Sequence, residues 1–406
     1  MMPTLPAIEF PLIGNSLVVG LFALLHILLA GLGVGFLMLA PPAEWAGERR
    51  PWLLDAARSM TRFTIVTYTA SLVLAVLMVQ LFIGLFPLTN AYLFNRFRYP
   101  LYVAMIAFLL QLFALYPYYH YWDPLRAKSP RLHRMLGILA ALLMFIWVAV
   151  LDGIGSYMLT PVSVGDAWNR LANPTWVPLI AHRFLGNLVM AGYVLAGYAA
   201  WRLAAAQGDD VDYYVRLLKL GLLIGFIVLM IQPLSGLFYA LAISASAPEA
   251  YRQLTQGPYQ PWLYAQFVLI GALFLGSHLW FHTVSSTERA EWWSVVAAGS
   301  FALGMVLSVG YPDLRRVWTF ALVALSAVVL YRARGLFRDV SSPERYRRPL
   351  IRHLSVALAV VAVMTYLTMG TIRETARRPD TVRHVISIPD EGRQPPLDRP
   401  LSGPQP

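Results

Sequence analysis

Two histidines and one arginine lie within long apolar stretches, where ionisable side chains are rare. His26 is about one-third of the way into the first stretch, and His182 and Arg183 lie near the start of the fifth, in NPTWVPLIAHRFLGN. Ionisable groups are costly in hydrocarbon and usually mark a function or a partner. Neutral imidazole ligates heme iron in helical proteins, but an intramembrane histidine can also be a polar contact between helices. From the residues alone, both interpretations stay open.

Three further polar residues have two interpretations each. His278 and His282, in GSHLWFHT, are four residues apart and share a helix face. They could bind a metal, or they could lie at the membrane interface with their polar ends toward water. Asp152 is the acidic residue that we predict within a span, where it either pairs with Arg183 or has a function of its own. Carboxylates usually line proton paths through membranes, so their scarcity argues against an ion-coupled transporter.

The composition indicates a multi-span helical membrane protein. Hydrophobic residues make up 58% of the 406-residue chain and charged residues 13%, about half the charged share of a soluble domain. The absence of cysteine excludes disulfides, thiolate metal sites, iron–sulfur clusters and covalently attached heme. The net charge of +11 does not indicate nucleic acid as a partner, because the basic residues lie mainly in short loops between apolar stretches.

The elements that must position these residues are transmembrane helices. Apolar runs of roughly 20 residues predict an all-α bundle of about nine to ten spans. The predicted spans are 14–39, 62–86, 99–121, 133–158, 178–202, 215–243, 260–283, 292–311, 316–333 and 351–371.

The loop charges predict an orientation in a bacterial inner membrane. Alternate loops hold most of the Lys and Arg residues, including the run from Arg332 to Arg352. The positive-inside rule then places the N-terminus in the periplasm. We predict a transmembrane bundle over residues 1–371 and a polar, extended tail over 372–406, which has too little apolar surface to fold alone.

Several motifs of the chain, taken in order, resemble subunit I of cytochrome bd quinol oxidases. His26 is followed by a Gly-rich stretch and then by Glu44 at the spacing of that family. The most specific match is Asn173-Pro174 with His182 nine residues after Asn173. The other matching motifs are Arg62-Phe63, Tyr157-Met158-Leu159-Thr160-Pro161, Ser235-Gly236 and Leu314-Arg315-Arg316-Val317-Trp318.

The resemblance implies packed membrane helices that hold up to three hemes near the periplasmic side. In that family the first-span histidine belongs to the high-spin, oxygen-reducing centre, which corresponds to His26. The histidine after Asn-Pro ligates the low-spin heme b that receives electrons from quinol, which corresponds to His182. Arg183 would then pair with a heme propionate.

The chain also departs from the family pattern at protonatable and ligating positions. Gln111 is near a position where the family has Glu in the third span, and no Glu stands in SVGYPD before the ninth. The Arg-x-Met whose Met is the second ligand of the low-spin heme becomes Gln266-Phe267-Val268, and the Asp of span six becomes Pro233. The long quinol-binding loop shrinks to SASAPEAYRQLTQGPYQPW. These changes argue against oxygen reduction and against quinol oxidation of the usual kind.

We therefore predict a heme b subunit of a respiratory complex that transfers electrons between the quinone pool and a partner. The candidate iron ligands are His26 and His182, with Arg183 as a heme contact and quinone as a second cofactor. The partners would be a second membrane subunit and a periplasmic cytochrome, which the Arg-rich tail could dock by charge complementarity. Two alternatives are a functional quinol:oxygen oxidoreductase with substituted ligands and a heme-free structural subunit.

Overall fold

The chain is helical throughout the part that the computed structural model describes, residues 14–162, 165–285, 292–337 and 342–375. Thirteen α-helices and no strands occur in those ranges. The helices are α1 (Asn15–Ala46), α2 (Trp52–Leu85), α3 (Pro87–His120), α4 (Trp122–Lys128), α5 (Pro130–Tyr157), α6 (Ala167–Leu171), α7 (Trp176–Leu203), α8 (Asp209–Ser246), α9 (Pro248–Gln256), α10 (Gln260–Val284), α11 (Trp292–Leu307), α12 (Pro312–Arg332) and α13 (Pro349–Thr375).

Nine of the described helices are long and apolar enough to cross a membrane, which confirms the predicted fold class. They correspond to nine of the ten predicted spans. The remaining segment, 292–311, contains α11, which has 16 residues and begins directly after residues 286–291, outside the described ranges. Its crossing of the membrane stays a prediction, as does the orientation of the chain. Residues 376–406 of the predicted tail lie outside the described residues, and α13 continues to Thr375.

The first helix is longer than the sequence predicts. We expected it to end at residue 39, before Pro41 and Pro42, but α1 continues to Ala46. Proline removes one backbone hydrogen bond, and a membrane helix tolerates this loss where neighbouring groups satisfy the backbone. The predicted end of the span was therefore wrong, and Glu44 is a residue of the helix. Asp152 is consequently not the only acidic residue in the apolar helices.

The described residues form two compact units. Unit 1 takes the residues up to Ala181 together with Leu241–Ala250, and unit 2 takes His182–Ala240 and Tyr251–Arg373. In unit 1, α1 packs along α2 and against α5, and α3 packs along α5. In unit 2, α11 packs against both α10 and α12.

Glycine allows two helices of unit 2 to approach each other closely. A Cβ atom placed on Gly192 of α7 would lie 2.4 Å from the backbone nitrogen of Gly225 in α8. No side chain fits at that distance, so this glycine is required by the backbone contact. Small residues at membrane-helix crossings have this role in general. The contact fixes α7 against α8, and both helices contribute to the surroundings of His182.

Candidate functional site

His26 of α1 is held by a serine on the neighbouring helix of unit 1. Its Nδ1 lies 3.0 Å from both the backbone oxygen and the Oγ of Ser71 in α2. A carbonyl oxygen only accepts hydrogen bonds, so Nδ1 carries the proton and Nε2 carries the lone pair. Metal-ligating histidines show the same pattern, with the second ring nitrogen donating to a carbonyl or carboxylate. The half-buried imidazole therefore fits an iron ligand that binds through Nε2.

His182 of α7 has a similar arrangement in unit 2. Its Nδ1 lies 3.1 Å from the Oγ of Ser235 in α8. Ser235 donates its own hydrogen to the backbone oxygen of Gln232 at 2.8 Å, and the side-chain nitrogen of Gln232 lies 3.1 Å from the same Nδ1. Nδ1 can therefore either donate to the serine oxygen or accept from the amide. A Cβ atom on Gly236 would lie 3.2 Å from Cε1 of the imidazole, and the ring stacks with Tyr239 at 6.0 Å. The Ser-Gly pair of α8 thus holds the ring by a hydrogen bond and by close packing.

The amide of Gln232 lies beside both ring nitrogens of His182. Its Nε2 donates to the backbone oxygen of His182 at 2.9 Å and lies 3.1 Å from Nδ1 and 3.4 Å from Nε2 of the imidazole. Its Oε1 is buried and has no hydrogen-bond partner among the described residues. Iron binding through Nε2 would require this amide to move away from the ring.

The positions of the other predicted residues, Arg183, His278 and His282, do not by themselves indicate a heme contact or a metal site. Arg183 is half-buried on α7, and its pairing with a propionate or with Asp152 stays a prediction. His278 is fully buried, and its Nε2 lies 2.8 Å from the Oγ of Ser326 in α12. His282 is half-buried one turn later. In the described ranges, no group of three or more His, Cys, Asp or Glu side chains could hold a metal ion.

Sequence reasoning missed a buried acid–base group in unit 1. Glu44 of α1 accepts a hydrogen bond from the Tyr118 hydroxyl at 2.9 Å and lies 2.7 Å from Nδ1 of His133. The other ring nitrogen of His133 lies 3.0 Å from the backbone oxygen of Tyr118. Glu44 and His133 have relative side-chain exposures of 1% and 0%. Arg126 is 3.7 Å from the same carboxylate.

The sequence contains each of these residues, but it does not show that they contact one another. The spacing of Glu44 from His26 was the only signal. His133 is the first residue of the predicted fourth span, 133–158. Glu44 and His133 are separated by 89 residues in the chain. A glutamate that follows two prolines is expected in a loop rather than in a helix. Burial of both groups together identifies the contact.

Gln111 of α3 is a neutral residue near a position where related chains have an acid. It is fully buried and accepts a hydrogen bond from the Tyr68 hydroxyl at 2.5 Å. Among the described residues, Glu44 and Asp152 are the buried carboxylates. The buried polar side chains of the described residues are therefore mostly hydroxyl, amide and imidazole groups.

The described residues form a multi-span helical membrane protein in which His26 and His182 each lie at hydrogen-bond distance from a serine on a neighbouring helix. The family model described as "Cytochrome bd terminal oxidase subunit I" matches residues 17–271, so the chain belongs to that family, as its motifs predicted. A structural comparison finds similarity to the bd oxidase from Geobacillus thermodenitrificans, with a TM-score of 0.55 and 16% sequence identity. The match covers 90% of this chain and 98% of the other, and at this identity it supports the fold alone. No curated protein sequence matches the chain.

Proposed function

We propose that this protein is a heme b subunit of a respiratory complex and transfers electrons between the quinone pool and a partner. One observation carries the proposal: His26 and His182 each have Nδ1 at hydrogen-bond distance from a serine on the next helix, Ser71 or Ser235. Each arrangement is compatible with a basic Nε2, the atom that binds iron when Nδ1 carries the hydrogen. Membership of the cytochrome bd subunit I family supports the same assignment.

The residues have distinct roles in this proposal. His26 and His182 hold the hemes, and Arg183 neutralises a propionate. A bound heme supplies one-electron oxidation and reduction, while the protein sets its position, its solvent exposure and the polarity around it. Val268, at the position of the family's methionine ligand, has a relative exposure of 52% and cannot bind iron. A low-spin heme at His182 would take its second ligand from another residue.

The partners follow from the family and from charge. A second membrane subunit, the quinone pool and a periplasmic cytochrome are the proposed partners of this electron carrier. The Arg-rich segment 372–406 is proposed to dock an acidic partner by electrostatic complementarity. Its deletion should weaken that binding, most strongly at low salt, and unchanged binding after deletion would remove this part of the proposal.

The deciding experiment is a heme assay on the purified protein. We expect a pyridine hemochrome spectrum of heme b and a reduced-minus-oxidised spectrum with a low-spin component. A protein that is pure, folded and free of heme would reject the electron-transfer proposal and support the structural-subunit alternative. Measurement of the heme-to-protein ratio then gives the number of hemes.

A further inference from the structure

Four arginines lie at the start of α13, the last described helix. Arg345 ends a short 3-10 helix, Arg347 and Arg348 directly precede α13, and Arg352 lies in its first turn. The backbone nitrogen of Arg352 donates to the backbone oxygen of Arg348 at 3.2 Å, so these two side chains lie on the same side of the helix, one turn apart. We call the four residues the arginine cluster. They lie beyond residues 17–271, which match the family model.

A buried aromatic side chain fixes this segment to the rest of unit 2. Tyr346, between the first two arginines, is buried, and the amine of Lys219 in α8 lies 4.5 Å from the centre of its ring. The same ring lies 6.1 Å from that of Trp280 in α10, whose indole nitrogen donates to the Ser355 hydroxyl at 3.1 Å. The arginine cluster is therefore held against α8 and α10, and a surface that is preorganised in this way binds a ligand at a lower entropic cost.

Arg347 and Arg348 donate to neutral backbone oxygens. Arg347 donates to the oxygen of Ala206, in the connection between α7 and α8, at 3.1 Å, and Arg348 donates to that of Thr283 in α10 at 3.4 Å. A guanidinium has five N–H donors, so each group keeps donors for a further acceptor. None of the four arginines forms an ion pair with a carboxylate of the described residues. Within the described part of the chain, their charges are therefore not offset by ion pairs.

Arg352 lies beside an aromatic residue that is typical of the membrane–water interface. Its guanidinium carbon is 5.9 Å from the ring centre of Trp201, an exposed side chain two residues before the end of α7. Tryptophan near the end of a membrane helix usually lies at the level of the lipid headgroups. The Nε atom of Arg352 is buried and has no hydrogen-bond partner among the described residues, while a terminal nitrogen lies 3.1 Å from Nε2 of His353. A buried donor without a partner is costly, so this position favours an additional acceptor.

The charge around the arginine cluster favours an anion. Glu344 is the only acidic residue in 342–352, so the arginines outnumber the acids four to one in that segment. α13 has no acidic residue in its first turn, where the positive end of the helix dipole disfavours a cation. Like charges so close in the chain also repel one another. A phosphate group offsets these charges and accepts two parallel hydrogen bonds from a planar guanidinium.

We propose that the arginine cluster and Trp201 form a docking surface for an anionic phospholipid, whose phosphate is bound by Arg348 and Arg352. Charge complementarity selects an anion, and the exposed tryptophan at the end of α7 selects a lipid over an ion in solution. Clusters of basic residues beside a membrane helix bind anionic lipids in this way in general. The docking surface does not depend on the proposed heme.

The alternative is that these arginines only set the orientation of the chain, as basic loop residues generally do. In that case their charge matters and their geometry does not, so lysine would replace arginine without effect. A bound headgroup depends on the guanidinium, because the single ammonium of lysine cannot present the same planar pair of donors to a phosphate. The two interpretations therefore differ in the lipid affinity of the lysine variants.

Lipid binding to the purified full chain tests the docking surface. Native mass spectrometry measures the dissociation constants of phosphatidylglycerol and of phosphatidylcholine with the same acyl chains. We expect the anionic lipid to bind at least about tenfold more tightly. Arg348→Gln/Arg352→Gln should lose at least about tenfold in affinity for phosphatidylglycerol and keep its affinity for phosphatidylcholine. Arg348→Lys/Arg352→Lys should also bind phosphatidylglycerol more weakly than the wild type, because it keeps the charge and loses the paired donors.

The matched control removes two arginines that already have carboxylate partners. Arg58→Gln/Arg134→Gln takes away the same charge from the ion pairs with Asp123 and Glu48, and it should bind phosphatidylglycerol as the wild type does. An equal loss in this control would show a general effect of charge and overturn the docking surface. Wild-type affinity in either double variant of the arginine cluster would also overturn it, and Arg348→Gln alone, on an exposed side chain, serves if a double variant does not fold. Stabilisation by inorganic phosphate with no preference between the two lipids would identify a site for a free anion instead.

Discussion

The burial of Glu44 with His133 predicts a strong energetic coupling between the two side chains. Their atoms are 2.7 Å apart, and neither side chain has more than 1% of its surface exposed. Removing one member of a buried pair costs about 3–5 kcal/mol, whereas replacing both by apolar residues is often close to neutral. Glu44→Leu and His133→Leu should each be strongly destabilising. The double variant should lose less than the sum of the two, with a coupling of at least about 2 kcal/mol.

Glu44→Gln is a sharper variant because the hydrogen-bond pattern predicts a small effect. The new amide nitrogen can donate to Nδ1 of a neutral His133, whose Nε2 hydrogen still meets the carbonyl of Tyr118. The amide oxygen can accept from the Tyr118 hydroxyl. Tyr118 and His133 keep their partners, and Arg126, whose side chain is 30% exposed, can be solvated by water, so we expect a loss of only about 1 kcal/mol. This ranking depends on the hydrogen-bond partners and not on side-chain volume.

The control is an ion pair of the same unit that is short but exposed. Arg58 and Asp123 are 2.6 Å apart, with side-chain exposures of 39% and 69%. Exposed pairs contribute about 0–1 kcal/mol, so Asp123→Asn should have little effect. Unfolding in mixed micelles of a mild detergent and SDS, followed by the fluorescence of the 12 tryptophans, measures all variants. Additive losses for Glu44→Leu and His133→Leu, or a Glu44→Gln variant as unstable as Glu44→Leu, would refute the reasoning.

Three further predictions concern the histidines, the helix packing and the chemistry. His182→Ala should remove a low-spin heme signal from the reduced-minus-oxidised spectrum, and His278→Ala should leave it; the opposite result would reverse the assignment. Gly192→Ala should destabilise the fold by about 1–3 kcal/mol or more, because its Cβ atom would lie 2.4 Å from backbone. Gly186→Ala, whose Cβ atom would lie 3.5 Å from a flexible side chain, should be neutral or stabilising by up to about 1 kcal/mol when unfolding is measured in the same way. The purified complex supplied with a quinol should take up little oxygen, and rapid uptake in an oxygen electrode would favour the oxidase alternative.

Hydropathy was enough to predict the helical fold class and nine of the spans, because each span must satisfy its own backbone hydrogen bonds within the membrane. It was not enough to predict where α1 ends. Pro41 and Pro42 usually terminate a helix in water, but α1 continues four residues beyond Pro42. That difference decides whether Glu44 is described as a loop residue or as a buried helical one.

The histidines were predictable as residues, but their hydrogen-bond partners were not. His26 contacts a serine 45 residues away, and His182 contacts one 53 residues away. Serine is common in apolar helices and carries no local signal of such a contact. The sequence therefore identified the candidate ligands, while the hydrogen-bond partners of their Nδ1 atoms depend on the packing of neighbouring helices.

The residues that differ from the family pattern and the histidine contacts that are present support the same proposed function, electron transfer. Gln111 stands near a position where the family pattern has an acid, and its amide cannot ionise. Val268 stands at the position of the family's heme-ligating methionine, and its side chain cannot bind iron. The serine contacts of the two histidines are present. This combination supports the proposal of electron transfer rather than oxygen reduction. The buried Glu44–His133 pair is the exception, because it places a carboxylate and an imidazole together in the interior of unit 1.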